Sequence, residues 1–501
     1  MHELCGHADG QTLSGCRCTA TIKELITVKL TKKSIIFSVC ALLAGISISL
    51  CPPPSEVLNG DSMRVLGILV GCIIMWAGNV VHECAVVLLM SALMAGLGHV
   101  PVGTVFSAFS GSIVWVLIAA FILGAAMKKC GLLRRIALLL LKIFPKNFAG
   151  TSIGLMVVGA VIAPFLPSKN SKGAIVGSVV RSVSDVMGYE PKSRQANGLF
   201  LSFWGTTMII PIMFMSGSTS TIASQGFLPE EMLGSYDYAG WALKSIPFIL
   251  PFVILLGIFT VLWYKPKKGE RVGVDLTNEF LDGQLAELGP WKREEKIVCI
   301  STVLMILYWI FKSHLGNIPD YASCLLVLSI LWFTGCLDAQ TFRNDTSWEN
   351  IIFIGSCISL GSILPYVHLT EWIVDLVSPF TDVAFSSPVL TVVILVVLLF
   401  VIRFILLSEG SYMSIMCALL YPLAMNAGIN PFVIAMILNL MVSEFFLPFQ
   451  SSAFLSGYYS FGDDAFDSNA TRLYWTAFTV LGTVAMLIAA VVWQMMGLWH
   501  I

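Results

Sequence analysis

Charge is what this sequence has least of. Only 12% of its 501 residues are Asp, Glu, Lys or Arg, against 57% apolar, too few to solvate the surface of a water-soluble chain of this length. A mean hydropathy of +0.85 says the same. Lipid must therefore be part of the solvent. An excess of either sign is missing as well: 29 basic and 30 acidic side chains leave a net charge of −1. That removes the clustered basic face which nucleic-acid binding needs. No P-loop is present, so the chain does not drive itself with ATP. Histidines number seven, and none falls in the polar motifs described below, which argues against a buried Ser–His hydrolase.

Two catalytic patterns are broken or misplaced. His82 and Glu83 open an HExxH motif, but Val86 stands at the second ligand position. Gly150 to Gly154 reads GTSIG, matching G-x-S-x-G, yet Ser152 lies in an apolar helical stretch rather than between a strand and a helix. The 13 cysteines are scattered through apolar spans and read as small buried hydrophobes, not as a disulfide framework. Near the N-terminus His2, Cys5, His7, Cys16 and Cys18 do not follow a paired zinc spacing. No catalytic residue, metal site or resident cofactor is assigned. The first 30 residues are polar and lack an apolar core followed by a small-residue cleavage site, so no secretory signal is expected.

Long apolar runs are what the sequence has in abundance. They fall near 34–51, 64–80, 84–97, 111–127, 196–225, 241–263, 297–313, 321–337, 348–366, 431–457 and 471–495, about eleven membrane-spanning helices. Two further runs, 151–189 and 388–425, are each cut near the middle by a polar cluster. Irregular backbone at membrane depth is tolerated only where protein or a wet cavity surrounds it, so both are expected to be re-entrant helical hairpins. The fold class is all-α, a polytopic membrane protein. Lys23, Lys29, Lys32 and Lys33 precede the first span, Lys128, Lys129, Arg134 and Arg135 follow the fourth, and Lys265, Lys267, Lys268, Lys292 and Arg293 crowd the long polar loop. By the positive-inside rule these segments, and the N-terminus with them, are cytoplasmic. The expected divisions are a tail over 1–33, a first transmembrane repeat over 34–263, a linker over 264–296 and a second repeat over 297–495.

The two halves share a plan. In the first, the hairpin break reads PSKNSKGA from Pro167 and an interrupted span reads PIMFMSGSTST from Pro211; in the second they read LSEGSYMS from Leu407 and LPFQSSAFLSG from Leu447. Ser168 to Pro211 and Ser408 to Pro448 are both about 40 residues apart, as in transporters built from inverted repeats. A helix broken at mid-membrane offers N–H groups to an anion at one end and carbonyls to a cation at the other. A small anion is accordingly expected between the hairpin tips, contacted by Ser168, Asn170, Ser171, Ser408 and Ser411. Ser216, Gly217, Ser218 and Thr219, with Gln450, Ser451 and Ser452, are expected to add contacts to substrate or cation. The alternative is that these small residues only mark close helix packing and kinks.

These residues resemble the divalent anion:sodium symporter family, which includes the solute carrier 13 group and bacterial citrate and dicarboxylate carriers. PSKNSKGAI is similar to that family's PSNTARGA tip, placing Ser168, Lys169 and Asn170 on its Ser-Asn-Thr signature. At the second tip Ser408, Glu409 and Gly410 align with it, and another frame begins at Ser411. The segments WENIIFIGSCISLGSILPYVHLTEWI from Trp348 and LGPWKREEKI from Leu288 also look like family features. The resemblance spans about 35–495. It implies a homodimeric elevator with scaffold and transport domains in a cell membrane, the bacterial inner membrane by likeness to the bacterial carriers. It further implies a di- or tricarboxylate substrate, with Na+ as the common coupling ion.

Departures from the signature put opposite charges, Lys169 and Glu409, at equivalent positions. An ionisable group at membrane depth costs about 2.5 to 3.5 kcal/mol and normally pairs or serves a pathway. Lys169 and Glu409 are therefore expected to meet, the ammonium standing where a sodium ion would sit. Lys172, one turn on, is expected to face a substrate carboxylate, unless both lysines snorkel toward an aqueous opening. Arg403, before the second tip, has Glu409, Glu444 or the anion itself as candidate partners. The functional expectation is a secondary active transporter of a small dianion, by cation symport or anion exchange. A membrane-embedded hydrolase using Ser152 or Ser168 and an anion channel are the alternatives.

Overall fold

A computed structural model describes residues 32–267, 274–316, 318–445, 447, 450–462, 464 and 466–501. The His/Cys group near the N-terminus, Pro448 and the first 31 residues lie outside them. The described chain is helical, with one isolated β-bridge, between Ile429 and His500. Among the described residues eight helical segments are long and apolar enough to cross a membrane, and four shorter apolar helices accompany them.

The first half opens with α1 (Lys32–Leu50), α2 (Gly60–Gly78), α3 (Glu83–Gly96) and α4 (Ser112–Cys130). A short amphipathic helix, α5 (Leu132–Leu141), then leads to α6 (Phe148–Ile162) and α7 (Lys169–Val186) on the two sides of the first break. The expected span 196–225 is α8 (Arg194–Ile209) and α9 (Thr219–Gly226), separated by a second break, and the half closes with α10 (Tyr238–Tyr264). The polar linker carries α11 (Asn278–Leu288). The second half runs α12 (Arg293–Phe311), α13 (Asp320–Phe333), α14 (Trp348–Ile358), α15 (Leu360–Tyr366) and an amphipathic α16 (Leu369–Ala384). Next come α17 (Pro388–Arg403) and α18 (Glu409–Asn426), then α19 (Pro431–Ser443), α20 (Ser452–Phe461) and α21 (Ser468–Met495). From the amphipathic helix onward each half has the same order: helix, break, helix, helix, break, short helix, long helix.

Local chemistry sets these boundaries. Pro211 has no amide hydrogen to continue the helical ladder, so α8 ends in the 3₁₀ turn Ile210–Met213. Gly217 closes that break because a Cβ there would lie 2.3 Å from the Pro211 carbonyl oxygen. The helices that restart after the four breaks each begin on a serine. Ser168 accepts from the Ser171 amide at 3.2 Å, Ser218 from Thr221 at 3.1 Å, Ser408 from Ser411 at 3.3 Å and Ser451 from Phe454 at 3.2 Å. An uncapped amide away from bulk water is costly, which makes a side-chain cap more valuable here than at an exposed helix start.

Two helices form the middle of the molecule. Every residue of α19 is buried, as is all of α8 from Gln195 onward, so both helices are enclosed by protein on all sides. Large apolar side chains of α1, α10, α12 and α13, among them Leu42, Leu250, Leu304 and Leu326, stay exposed, as suits helices long and apolar enough to cross a membrane. The halves interlock: α7 packs along α20, where Gly173 approaches so closely that a Cβ on it would lie 3.1 Å from the Gly457 Cα. Such glycine contacts let two backbones meet in a medium where apolar burial gives no drive. As a result the first tip rests on an element of the second half.

Candidate functional site

The four serine-capped helix starts lie around one cavity of about 330 Å³. From the hairpin tips it is lined by Ser168, Lys169, Asn170, Ser408, Glu409 and Gly410, and from the interrupted helices by Thr219, Gln450 and Ser452. Ser171, Lys172, Ser216, Gly217, Ser218, Ser411 and Ser451 stand behind this lining. The Ser168 cap already receives a backbone amide on its oxygen, so its hydroxyl hydrogen is left to donate into the cavity. That suits an anionic guest.

Lys169 and Glu409 meet as their charges suggested. Lys169 Nζ lies 3.0 Å from Glu409 Oε2 and 3.4 Å from Ser443 Oγ. Ser451 Oγ adds a contact of 3.4 Å to Glu409 Oε1. The lysine side chain is 4% exposed and the glutamate 21%, so the pair is drawn into protein and reaches the cavity through its acid. One charge from each half thus neutralises the other across the tips.

Lys172 takes a different place from the one expected. Fully buried, it donates from Nζ to the carbonyl oxygens of Ala163 at 3.2 Å and Gly217 at 2.8 Å. Ala163 is the C-cap of α6 and opens its terminal 3₁₀ turn, and Gly217 immediately precedes the Ser218 cap. Neither snorkelling nor a turn toward the cavity describes this lysine: its ammonium bridges a carbonyl at the C-terminal end of α6, where a cation is favoured, and one in the loop that leads into α9. Ser216 ties the same two breaks together by donating to the Pro164 carbonyl at 2.7 Å.

Arg403 does the equivalent in the second half. Rather than Glu409 or Glu444, its guanidinium donates to the carbonyl oxygens of Leu406 at 2.8 Å, Leu407, and Gln450 at 3.1 Å. Gln450 immediately precedes the Ser451 cap, as Gly217 precedes Ser218. Each half therefore places a side-chain cation on the carbonyl just before the cap of its interrupted helix. Gln450 also folds its own side chain back, accepting from the Leu447 amide at 2.7 Å.

Residues outside the sequence motifs complete the cavity. Trp76 and Asn79 at the end of α2, Glu83 at the start of α3, and Asn350 and Phe353 from α14 all line it. Glu83 Oε2 accepts from the Ser408 hydroxyl and lies 3.4 Å from Ser411 Oγ. The signal for Glu83 was present: an acid beside an apolar run is the kind of residue that membrane burial makes meaningful. It stood one residue outside the run at 84–97. Ser152, from the G-x-S-x-G match, is buried within α6, on a helix and away from the cavity lining.

A family model described as the sodium:sulfate symporter transmembrane region matches residues 32–499. Inner membrane protein YbhI of Escherichia coli K12 is 26% identical over 411 residues, covering 80% of this chain and 84% of that protein. The L-tartrate/succinate antiporter of the same strain is 23% identical over 326 residues, 64% and 65% of the two chains. Dicarboxylate transporter 1 of Arabidopsis thaliana chloroplasts is 25% identical over 340 residues, 66% and 60%. Among solved structures the YdaH transporter of Alcanivorax borkumensis aligns with a TM-score of 0.52 at 11% identity, over 93% of this chain and 97% of that one, a likeness of fold.

Proposed function

Because the chain belongs to the sodium:sulfate symporter family across nearly its whole length, we propose that it carries a small carboxylate anion across a membrane by exchange, without a mobile coupling cation. It is a multi-pass membrane transporter and not an enzyme. The substrate class rests on the tartrate/succinate and dicarboxylate carriers it resembles and on the hydroxyl-rich tips that line the cavity. Di- and tricarboxylates are the first choice.

The observation that carries the coupling proposal is the matched pair Lys172 and Arg403. Sodium is implied by the family's name, and a sodium ion would need several oxygen ligands to replace its hydration shell. The carbonyls best suited to supply them, those of Gly217 and Gln450 beside the caps, accept hydrogen bonds from Lys172 and Arg403 instead. The residues present do not fit a sodium site there. With the cations covalently fixed, the positive charge that offsets the guest's negative charge travels with the protein. Such a carrier gains nothing from a sodium gradient and is poised to swap one anion for another.

The recurring order of helices supports two inverted repeats, 34–263 and 297–495, joined by a cytoplasmic linker over 264–296. An elevator movement of the tips, a homodimer and an inner-membrane location with the N-terminus in the cytoplasm belong to the same proposal. Purified protein reconstituted in liposomes loaded with succinate tests it. External labelled succinate or tartrate should enter at the same rate in sodium and in choline buffers, and only against an internal anion. Uptake that requires a sodium gradient would sink the coupling mechanism, and failure to move any carboxylate or sulfate would sink the substrate class.

A further inference from the structure

The first tip offers its cap hydroxyl, Ser168, to the cavity, but the second tip already holds a carboxylate. Glu83 accepts from the hydroxyl of Ser408, the cap of the 18-residue α18, and lies 3.4 Å from Ser411 Oγ on that helix's first turn. This is the arrangement in which a helix start binds an anion: hydroxyl donors beside free amides at the positive end of the dipole. Among the described residues the first tip has no comparable acid on Ser168. Glu83 is not part of either hairpin. It opens α3, which packs on α2 and α14, and α14 packs in turn on α18, so the contact ties the tip of α18 to helices that flank the hairpin without belonging to it.

We propose that Glu83 is the resident ligand of the second tip, a tethered stand-in for one carboxylate of the substrate that must be displaced before the carrier can move. With Glu83 seated, Ser408 and Ser411 are tied to α3. A substrate carboxylate competing for those hydroxyls replaces the tie with a contact that moves with the tip. The empty carrier is thereby held in place and the loaded one released, which enforces exchange. A second consequence concerns specificity: an anion with one carboxylate can occupy the first tip and leave Glu83 where it is. Only a guest with two suitably spaced carboxylates reaches both tips and undoes the tie. This inference rests on the carboxylate-carrier proposal and adds to it the requirement for two carboxylates.

The test is efflux of labelled succinate from proteoliposomes into buffer with no anion substrate, with succinate, or with lactate. Wild type should release label only into succinate. Hydrogen bonds to charged groups are strong enough to shift such an equilibrium about tenfold or more. Glu83→Ala and Glu83→Gln should therefore raise the ratio of anion-free efflux to exchange by about that factor, and lactate should begin to drive release. Glu83→Asp should restore the wild-type ratio, which a merely structural role would not predict. Should Glu83→Ala fail to reconstitute, Glu83→Gln keeps the side chain's shape and provides the same comparison. An unchanged ratio in the variants would overturn the inference and leave the carrier intact, as would wild-type vesicles that empty freely without external anion. A wild type that moves no carboxylate in any buffer would overturn the carrier proposal and this one with it.

Discussion

The two tip regions solve one problem with different residues. Each leaves a backbone carbonyl exposed just before a serine cap, Gly217 in the first half and Gln450 in the second, and each covers it with a side-chain cation. In the first half the cation is Lys172, on the helix leaving the hairpin tip; in the second it is Arg403, on the helix entering it. Sequence position and residue type both differ, while the charge and the carbonyl it meets correspond. What the halves have in common is an electrostatic requirement, and a lysine or an arginine from either arm of a hairpin can meet it. The difference lies in reach. The compact ammonium satisfies two carbonyls, whereas the guanidinium fork, with more donors, satisfies three.

That comparison predicts unequal damage. Arg403→Ala strands the buried carbonyls of Leu406 and Gln450 and the part-buried one of Leu407, and Lys172→Ala strands two buried ones, each unsatisfied buried group costing roughly 1 to 3 kcal/mol. Both should abolish exchange, with Arg403→Ala melting at the lower temperature in detergent. If the two cations are equivalent occupants of cation-binding positions, each vacated space should now take a small ion, so sodium and not choline should raise both melting temperatures. A sodium response in one variant alone would break the equivalence of the halves. Smaller effects are expected at Lys169 and Glu409. Removing one member of a buried pair costs about 3 to 5 kcal/mol, while replacing both with apolar residues is often close to neutral. Lys169→Met should therefore destabilise clearly, less than a fully enclosed pair would because Glu409 is partly exposed. The double variant Lys169→Met/Glu409→Leu should recover most of the melting temperature. The smallest effects belong to the caps: Ser218→Ala and Ser451→Ala should each cost about 1 kcal/mol, measurable as matched small shifts. A larger loss at Ser451 would reflect its added contact with Glu409.

Much of this arrangement is legible in the sequence. Polar clusters such as PSKNSKGA stand out against apolar sequence because lipid tolerates so few of them, and opposite charges at Lys169 and Glu409 imply a meeting. The caps were visible as serines, though as proposed ligand contacts rather than as helix starts. Lys172 and Arg403 were conspicuous, but their partners were not. Backbone carbonyls carry no sequence signature, so a long cation aimed at Gly217 or Leu406 looks on paper like one aimed at a substrate or a carboxylate. Glu83 is silent in the sequence for a related reason: its partner Ser408 lies 325 residues away, and nothing local to the acid announces it. Helix lengths were less legible than helix order. The break in 196–225 is read from Pro211, but the run 348–366, expected as one span, divides at Ser359 into α14 and α15.

The pairing of Lys169 with an acid 240 residues further along the chain also bears on how the molecule is made. A ribosome adding about 5 to 20 residues per second leaves the first tip waiting on the order of ten to fifty seconds for its countercharge, and longer for the glycine face of α20 that supports it. During that interval an unneutralised lysine must be kept in water, at the membrane surface or within the insertion machinery. The first hairpin is therefore expected to enter the bilayer late, drawn in by the second, and a chain stopped before Glu409 should leave Lys169 accessible to water-borne amine reagents.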